Sequence, residues 1–114
     1  MKARFSIAIK FVADMDRAVR FHRDVLGLPL KFQSPHWSEF DTGDVTLALH
    51  PASGKNPAGT VELGFNVADL RAAYAQQDKN GPHFLEEPKE LHGTLLASFR
   101  DSEGARCGIA EEKK

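Results

Sequence analysis

The sequence contains a single cysteine, Cys107, and this scarcity limits what the chain can form by itself. One thiol cannot close an internal disulfide, and it cannot build a metal cage made only of thiolates within one chain. We therefore interpret Cys107 as a small apolar residue that packs in a strand.

An excess of charge of either sign is also missing. The 15 Lys and Arg residues are offset by 16 Asp and Glu residues, which leaves a formal net charge of −1. No basic field is available to hold the phosphate backbone of a nucleic acid, so we expect no nucleic-acid partner.

Long apolar runs are absent as well. Lys2 and Arg4 are followed at once by an alternating segment, not by an apolar run of signal-peptide length, and no window approaches a membrane span. We expect a cytoplasmic protein with no membrane partner. A length of 114 residues suffices for one domain with a buried core.

What the sequence does contain is a motif that occurs twice. FVADM at 11–15 returns as NVADL at 66–70, and each copy lies between a predicted strand and a predicted helix. In the first copy, the residues from Arg4 to Lys10 alternate, with Phe5, Ile7 and Ile9 on one side, as in a strand. A duplicated unit of this kind predicts a cleft between the two copies.

Helix boundaries accompany both copies. Asp14 and Asp69 are predicted N-caps, and capping explains this repeated carboxylate better than a catalytic pair does. Gly27 is expected to end the first helix in the left-handed region, and Gly81 with Pro82 to end the second. The helical spacing of the first copy is carried by Met15, Val19, His22 and Leu26.

Three short extended segments follow each helix. In the first copy they are Leu30–Gln33, Trp37–Asp41 and Val45–His50, and in the second His83–Glu86, Leu95–Arg100 and Arg106–Ala110. The sequence thus predicts an α+β fold of two tandem βαβββ modules, which form curved mixed sheets around a cleft. Module one is 1–52, the connector is 53–59 and module two is 60–114. The modules are expected to pair within the chain or in a homodimer, because single halves leave edges uncovered.

Several segments resemble the vicinal oxygen chelate superfamily, which includes glyoxalases, extradiol dioxygenases, fosfomycin-resistance enzymes and bleomycin-resistance proteins. The helix-ending pattern FY.dvLG corresponds to Phe21, His22 and the residues Asp24 to Gly27, and the late DPdGn turn corresponds to 101–105, with Ser102 in place of proline. The resemblance extends over nearly the whole chain. It implies the fold more than the chemistry, because fold and function separate readily in such scaffolds.

The metal enzymes of this superfamily resemble one another in four cleft-facing ligand positions, which correspond here to Ile7, Ala48, Glu62 and Gly108. Only Glu62 offers a donor atom, and among the histidines only His50 is predicted to face the cleft nearby. A divalent ion needs about three or more protein ligands. The resemblance, taken with these residues, therefore implies no metal and no cofactor, and favours a protein that is not an enzyme.

Strand parity predicts what lines the cleft. Small residues at former ligand positions leave room, and Trp37 offers a flat apolar surface with one donor. Arg106 is the only arginine placed there, and whether Glu62 pairs with Arg106 or with a ligand stays open. The predicted ligand-binding residues are Ile7, Trp37, Ala48, His50, Glu62, Ser98, Arg106 and Gly108.

Three functional hypotheses follow. The favoured one is a metal-free homodimer of the bleomycin-resistance type, which would confer antibiotic resistance by sequestering an apolar or aromatic small molecule. If Glu62 is unpaired, that molecule is expected to be cationic. The second is an isomerase-like or lyase-like enzyme with Glu62 and His50 as acid and base. The third is a non-catalytic structural or regulatory domain. Plainer roles also exist for Glu62 as a solvated carboxylate and for Trp37 as a core or dimer contact.

Overall fold

A computed structural model describes residues 1–77 and 82–113 of the chain. Gly81, predicted to end the second helix, and Lys114, the last residue of module two, lie outside the described residues. In chain order the elements are β1 (Arg4–Val12), α1 (Met15–Arg20), a π-helical turn (Phe21–Val25), β2 (Leu30–Gln33), β3 (Ser38–Asp41), β4 (Thr46–Pro51), β5 (Val61–Val67), α2 (Leu70–Ala75), β6 (His83–Phe84), β7 (Lys89–Leu91), β8 (Thr94–Arg100) and β9 (Arg106–Glu111).

The chain forms two compact units, and the predicted α+β class with two βα-type repeats is confirmed. We call Ser6–Glu62 the N-terminal unit, and Met1–Phe5 together with Leu63–Lys114 the C-terminal unit. The predicted connector 53–59 lies inside the N-terminal unit. Neither helix in the described part of the chain is long and apolar enough to cross a membrane.

The N-terminal unit contains four strands in the order β2-β3-β4-β1. β1 and β4 run parallel, and the other neighbours are antiparallel. Helix α1 packs on one face of these strands through a core of Val12, Val19, Phe40 and Leu49. Asp14 accepts a hydrogen bond from the backbone N–H of Arg17 at 3.0 Å, as an N-cap does.

The first helix changes its hydrogen-bonding pattern along its length. The expectation of one regular helix up to Leu26 is therefore wrong. The α-helix ends at Arg20 and continues as a π-helical turn, in which Leu26 N–H donates to the carbonyl oxygen of Phe21 at 3.2 Å. His22 Nδ1 lies 2.7 Å from the carbonyl oxygen of Ala18, so the imidazole competes for an acceptor of the regular ladder. The later residues turn outward, and Val25 is 69% exposed.

The C-terminal unit repeats the arrangement with one more strand. The order is β5-β9-β8-β6, and β7 also pairs with β8. The parallel pair is β5 with β9, and α2 covers a core of Val67, Leu70, Ala97 and Ile109. Asp69 caps α2 by accepting from Ala72 N–H at 3.0 Å. Cys107 is buried, as its interpretation as a packing residue requires.

Sequence patterning located most elements and missed one. The sequence predicts no strand at Lys89–Leu91, because this segment has no apolar alternation, and its pairing with β8 appears only in the folded chain. The segment predicted as His83–Glu86 is a strand only over His83–Phe84, and Trp37 precedes β3 instead of starting it. Gly27 adopts a φ of 72°, which confirms the predicted left-handed end of the first helical segment.

Candidate functional site

The N-terminal unit has a sheet face that helix α1 does not cover. Strand register places Ala48 beside Ile9 on β1 and beside Glu39 on β3, and His50 beside Phe11. Residues opposite one another on neighbouring strands project to the same side of a sheet. We call this side the helix-free face of the N-terminal unit, since Phe40 and Leu49, which alternate with these residues, belong to the core under α1.

Trp37 and Glu39 form a hydrogen bond on this face. The indole Nε1–H of Trp37 donates to Oε2 of Glu39 at 2.7 Å. The acceptor is a carboxylate, so the bond is charge-assisted and fixes the orientation of the indole ring. Glu39 is not freely solvated, because its side chain is 28% exposed, and the ammonium of Lys31 lies 4.0 Å from its Oε1.

His50 lies against the same indole ring. Its ring centroid is 6.2 Å from that of Trp37 at an interplanar angle of 80°, and 5.5 Å from that of Phe11 at 69°. Nδ1 of His50 lies 2.8 Å from the carbonyl oxygen of Pro51. A carbonyl oxygen only accepts, so Nδ1 carries the proton and Nε2 of the neutral ring is an acceptor. The exposed imidazole can therefore accept a proton or a hydrogen bond through Nε2.

Ala48 supplies the small residue in the middle of this face. It is fully buried, between Ile9 on one neighbouring strand and Glu39 on the other. A methyl side chain neither donates nor accepts a hydrogen bond. Because it is small, it fills little volume above the sheet between the indole ring and β1. Three of the predicted site residues, Trp37, Ala48 and His50, thus lie close together in one unit.

The residues that the resemblance aligns with the superfamily's metal ligands do not fit a metal ion. The side chains of Ile7, Ala48 and Gly108 contain no donor atom. Within residues 1–77 and 82–113, no group of three or more His, Cys, Asp or Glu side chains is placed to hold a metal. A divalent ion requires about three or more protein ligands, and the side chains of Ile7, Ala48 and Gly108 can supply none of them.

The C-terminal unit also has a sheet face without a helix, and three predicted residues lie on it. Ser98 is directly opposite Gly108, and Arg106 Nη2 donates to Ser98 Oγ at 3.1 Å. Arg100 is directly opposite Arg106 and shares this face. The sequence places Arg106 alone in the lining, whereas on this face Arg100 has the same strand parity as Ser98 and accompanies Arg106.

The remaining two predicted residues are less informative. Ile7 is a partly buried residue of β1 next to Thr46 of β4, on the helix-free face of the N-terminal unit. Glu62 lies on β5 as the last residue of the N-terminal unit, and it is partly buried. A ligand-binding role for each of them stays a prediction.

Sequence reasoning missed Glu39 and Arg100. The signal for both was strand parity, because Glu39 lies two residues after Trp37 and Arg100 lies two residues after Ser98. Both residues are charged, and charged residues in a strand are usually solvated. Their neighbours across the sheet, which place them on these faces, are visible only in the folded chain.

Comparison with known proteins gives a consistent family. The family model described as Glyoxalase/Bleomycin resistance protein/Dioxygenase superfamily matches residues 5–109. An uncharacterized protein of Mycolicibacterium smegmatis is 31% identical over 97 residues, which cover 80% of this chain and 78% of the relative.

Solved structures of similar fold include a glyoxalase/bleomycin resistance protein/dioxygenase superfamily member from Vibrio splendidus. Its TM-score is 0.75 at 14% identity, covering 97% of this chain and 100% of that one. A variant of Streptomyces coelicolor methylmalonyl-CoA epimerase in complex with 2-nitronate-propionyl-CoA has a TM-score of 0.71 at 19% identity, covering 96% and 94%. At these identities the likeness concerns the fold alone.

Proposed function

Because the chain belongs to the Glyoxalase/Bleomycin resistance protein/Dioxygenase superfamily, we propose that it binds a small aromatic molecule without a metal, on the helix-free face of the N-terminal unit. The observation that carries the proposal is the 2.7 Å hydrogen bond between Trp37 and Glu39. This bond joins a flat apolar surface to a partly buried carboxylate. In a small-molecule site the apolar surface supplies contact area and the polar group orients the ligand.

The electrostatics of this pair favour a cationic aromatic ligand. The face of an indole ring attracts cations, and the Glu39 carboxylate adds a full negative charge beside it. Lys31 compensates little, because its ammonium lies 4.0 Å away on a side chain that is 65% exposed. Exposed ion pairs of this kind contribute about 0–1 kcal/mol. The proposed biological role is sequestration of a cationic aromatic compound, for example an antibiotic.

A thermal-shift titration with cationic, neutral and anionic aromatic compounds of matched size tests this proposal. A ligand that binds only the folded chain stabilises it by about 2.7 kcal/mol at 100 times its Kd. We expect the cationic compounds to raise Tm most. Glu39→Gln should remove the preference for the cation, and Trp37→Leu should weaken binding of all aromatic compounds.

The control is Asp44→Asn, which removes one carboxylate from an exposed residue of the turn between β3 and β4 in the same unit. It should leave all affinities unchanged. Absence of any Tm shift across the compounds would contradict the proposal. An equal preference for cations in Glu39→Gln would show that the carboxylate does not recognise the ligand.

A second candidate function is proton transfer, and the orientation of His50 favours it. Nε2 of His50 is an acceptor on the same face as Glu39, so an imidazole and a carboxylate flank Trp37. General acid or base catalysis needs such groups within hydrogen-bond reach of the substrate. An isomerase-like or lyase-like activity would be lost in His50→Gln with ligand affinity kept, whereas a sequestering protein would show no turnover in either form.

The homodimer predicted from sequence is part of the proposal. Measurement of the molar mass in solution by size-exclusion chromatography with light scattering tests it, since a dimer has twice the 12.6 kDa of one chain. A monomer that still binds the aromatic cation would remove the dimer from the proposal and leave the ligand site in place.

A further inference from the structure

Phe32 is an exposed aromatic residue that an irregularity of β2 turns onto the helix-free face of the N-terminal unit. Leu30, two residues earlier, packs against the core under α1. Residues two apart in a regular strand project to the same face. Here the register shifts between Leu30 and Phe32, so Lys31 is the extra residue of a β-bulge and Phe32 lies opposite Glu39. The bulge thus places a side chain that is 52% exposed beside the carboxylate of Glu39.

Three aromatic rings lie around this carboxylate. Phe32 is directly opposite Glu39 across β2 and β3, and Cβ atoms of such pairs are about 4.5–5.5 Å apart. Trp37, two residues before Glu39, donates its indole N–H to Oε2 of Glu39 at 2.7 Å. The ring of His50 follows, with its centroid 6.2 Å from that of Trp37. Phe32 and Trp37 are diagonal neighbours, about 7–8 Å apart, so a ligand group above Glu39 reaches both rings.

Both oxygens of the Glu39 carboxylate already face donors. Oε2 accepts from the indole of Trp37, and Oε1 lies 4.0 Å from the ammonium of Lys31. A primary ammonium group has three N–H donors and would leave water for a carboxylate that is already engaged. A quaternary ammonium group has no N–H, so it requires only negative potential and apolar contact. Aromatic ring faces beside a carboxylate supply both.

We propose that this site selects a quaternary ammonium group over a primary one, and that Phe32 is the residue that sets the preference. The inference rests on the function proposed above and names the class of cation that the site accepts. The N-methyl groups of the ligand lie against the rings of Phe32 and Trp37, and Glu39 supplies the opposite charge. Burial of these methyl groups adds apolar contact that a primary ammonium cannot make.

A fluorescence titration tests the proposal directly, because Trp37 is the single tryptophan of the chain and reports on this site. The probes are benzyltrimethylammonium and benzylamine at constant ionic strength and pH 7, where both carry one positive charge. We expect benzyltrimethylammonium to bind about fivefold or more tightly, since cation–π contacts strengthen when the cation is desolvated. Choline should bind more tightly than 3,3-dimethylbutan-1-ol, which has the same shape without the charge.

Substitutions of Phe32 test its role. Phe32→Leu keeps an apolar side chain but removes the ring, so it should weaken binding of benzyltrimethylammonium by about threefold to tenfold and change that of benzylamine little. Phe32→Tyr keeps the ring and should keep the preference. Both variants should retain the Tm of the natural chain, because Phe32 is half exposed. The matched control is Phe21→Leu, a 49% exposed phenylalanine of the π-helical turn in the same unit, which should leave both affinities unchanged.

The outcomes separate this inference from the function on which it rests. Equal affinity for the two benzyl cations, or tighter binding of benzylamine, would overturn the preference for quaternary ammonium and leave the binding of aromatic cations in place. Absence of binding by either cation would remove both proposals. A preference that persists in Phe32→Leu, or that is lost to the same extent in Phe21→Leu, would show that Phe32 does not set it.

Discussion

The ammonium group of Lys10 lies 3.0 Å from Nε2 of the buried imidazole of His22. The other ring nitrogen, Nδ1, is protonated because it lies 2.7 Å from the carbonyl oxygen of Ala18. Nε2 of a neutral ring is therefore the acceptor, and Lys10 is the donor. His22 is only 4% exposed, so Lys10 satisfies a polar atom that water does not reach.

This pair predicts a strong coupling between two substitutions. Lys10→Met leaves Nε2 without its donor, and His22→Phe leaves the ammonium without its acceptor. Each single change should lower the free energy of unfolding by about 1–3 kcal/mol, because it leaves one partner of the hydrogen bond unsatisfied in a buried or partly buried position. The double variant removes both polar groups, so chemical denaturation should show it less destabilised than the sum of the single variants by about 0.5–3 kcal/mol. Additive effects would contradict the pairing.

The repeated aspartates are predicted to act as helix caps and nothing more. Asp14→Ala and Asp69→Ala each remove the acceptor of one backbone N–H at 3.0 Å and should each lower the free energy of unfolding by about 0.5–2 kcal/mol. Asn keeps the acceptor oxygen, so the Asp-to-Asn variants should be nearly as stable as the natural chain. Loss of ligand binding in the stable Asn variants would assign these carboxylates a role beyond capping.

Glu111 is predicted to stabilise the start of α2 from a distant part of the chain. Its Oε2 accepts from the backbone N–H of Leu70 at 3.1 Å, and Leu70 is fully buried. Glu111→Ala leaves this N–H without an acceptor and should cost about 1–3 kcal/mol in urea unfolding. Glu111→Gln retains an oxygen acceptor and should cost clearly less. Equal losses in both variants would show that the charge, not the acceptor, matters.

Glu39 and Phe40 are adjacent in β3 but lie on opposite faces of the sheet. Substitution of Phe40 should therefore affect stability, and substitution of Glu39 should affect ligand binding. Phe40 is fully buried in the core of the N-terminal unit, so Phe40→Ala should cost about 3–5 kcal/mol. Glu39→Gln should change stability by less than about 1 kcal/mol, while it alters the binding of aromatic cations. Thermal unfolding and titration of the same two variants check both effects. A large loss of stability in Glu39→Gln would point to a structural carboxylate.

Asp24 provides a prediction about pH. Arg23 donates to it through Nε at 2.7 Å and Nη2 at 3.0 Å, and these hydrogen bonds hold the pKa of Asp24 below its usual value. The folded pKa is depressed, so the stabilisation is present above the pKa of the unfolded chain and is lost as pH falls through the folded pKa. Arg23→Gln should raise the pKa of Asp24, measured by NMR titration of its carboxyl carbon. An unchanged midpoint would contradict the contact.

Local sequence signals predicted the elements whose causes are local. The caps Asp14 and Asp69 and the left-handed Gly27 each act within a few residues of the chain, and the structure shows all three. The same logic failed for the helix after Arg20. There the imidazole of His22 takes the Ala18 carbonyl and bonds to Lys10 on a strand, and the spacing of apolar residues contains no information on either contact.

The sequence by itself determined which chemistry this chain can offer. It holds residues without side-chain donor atoms, Ile7, Ala48 and Gly108, at the positions that the resemblance aligns with metal ligands, and no folding step can supply donors to such side chains. Only the tertiary structure decided which groups meet. Register across strands put Ala48 beside Glu39 and Arg100 opposite Arg106, because hydrogen bonds between strands join residues that the linear order separates.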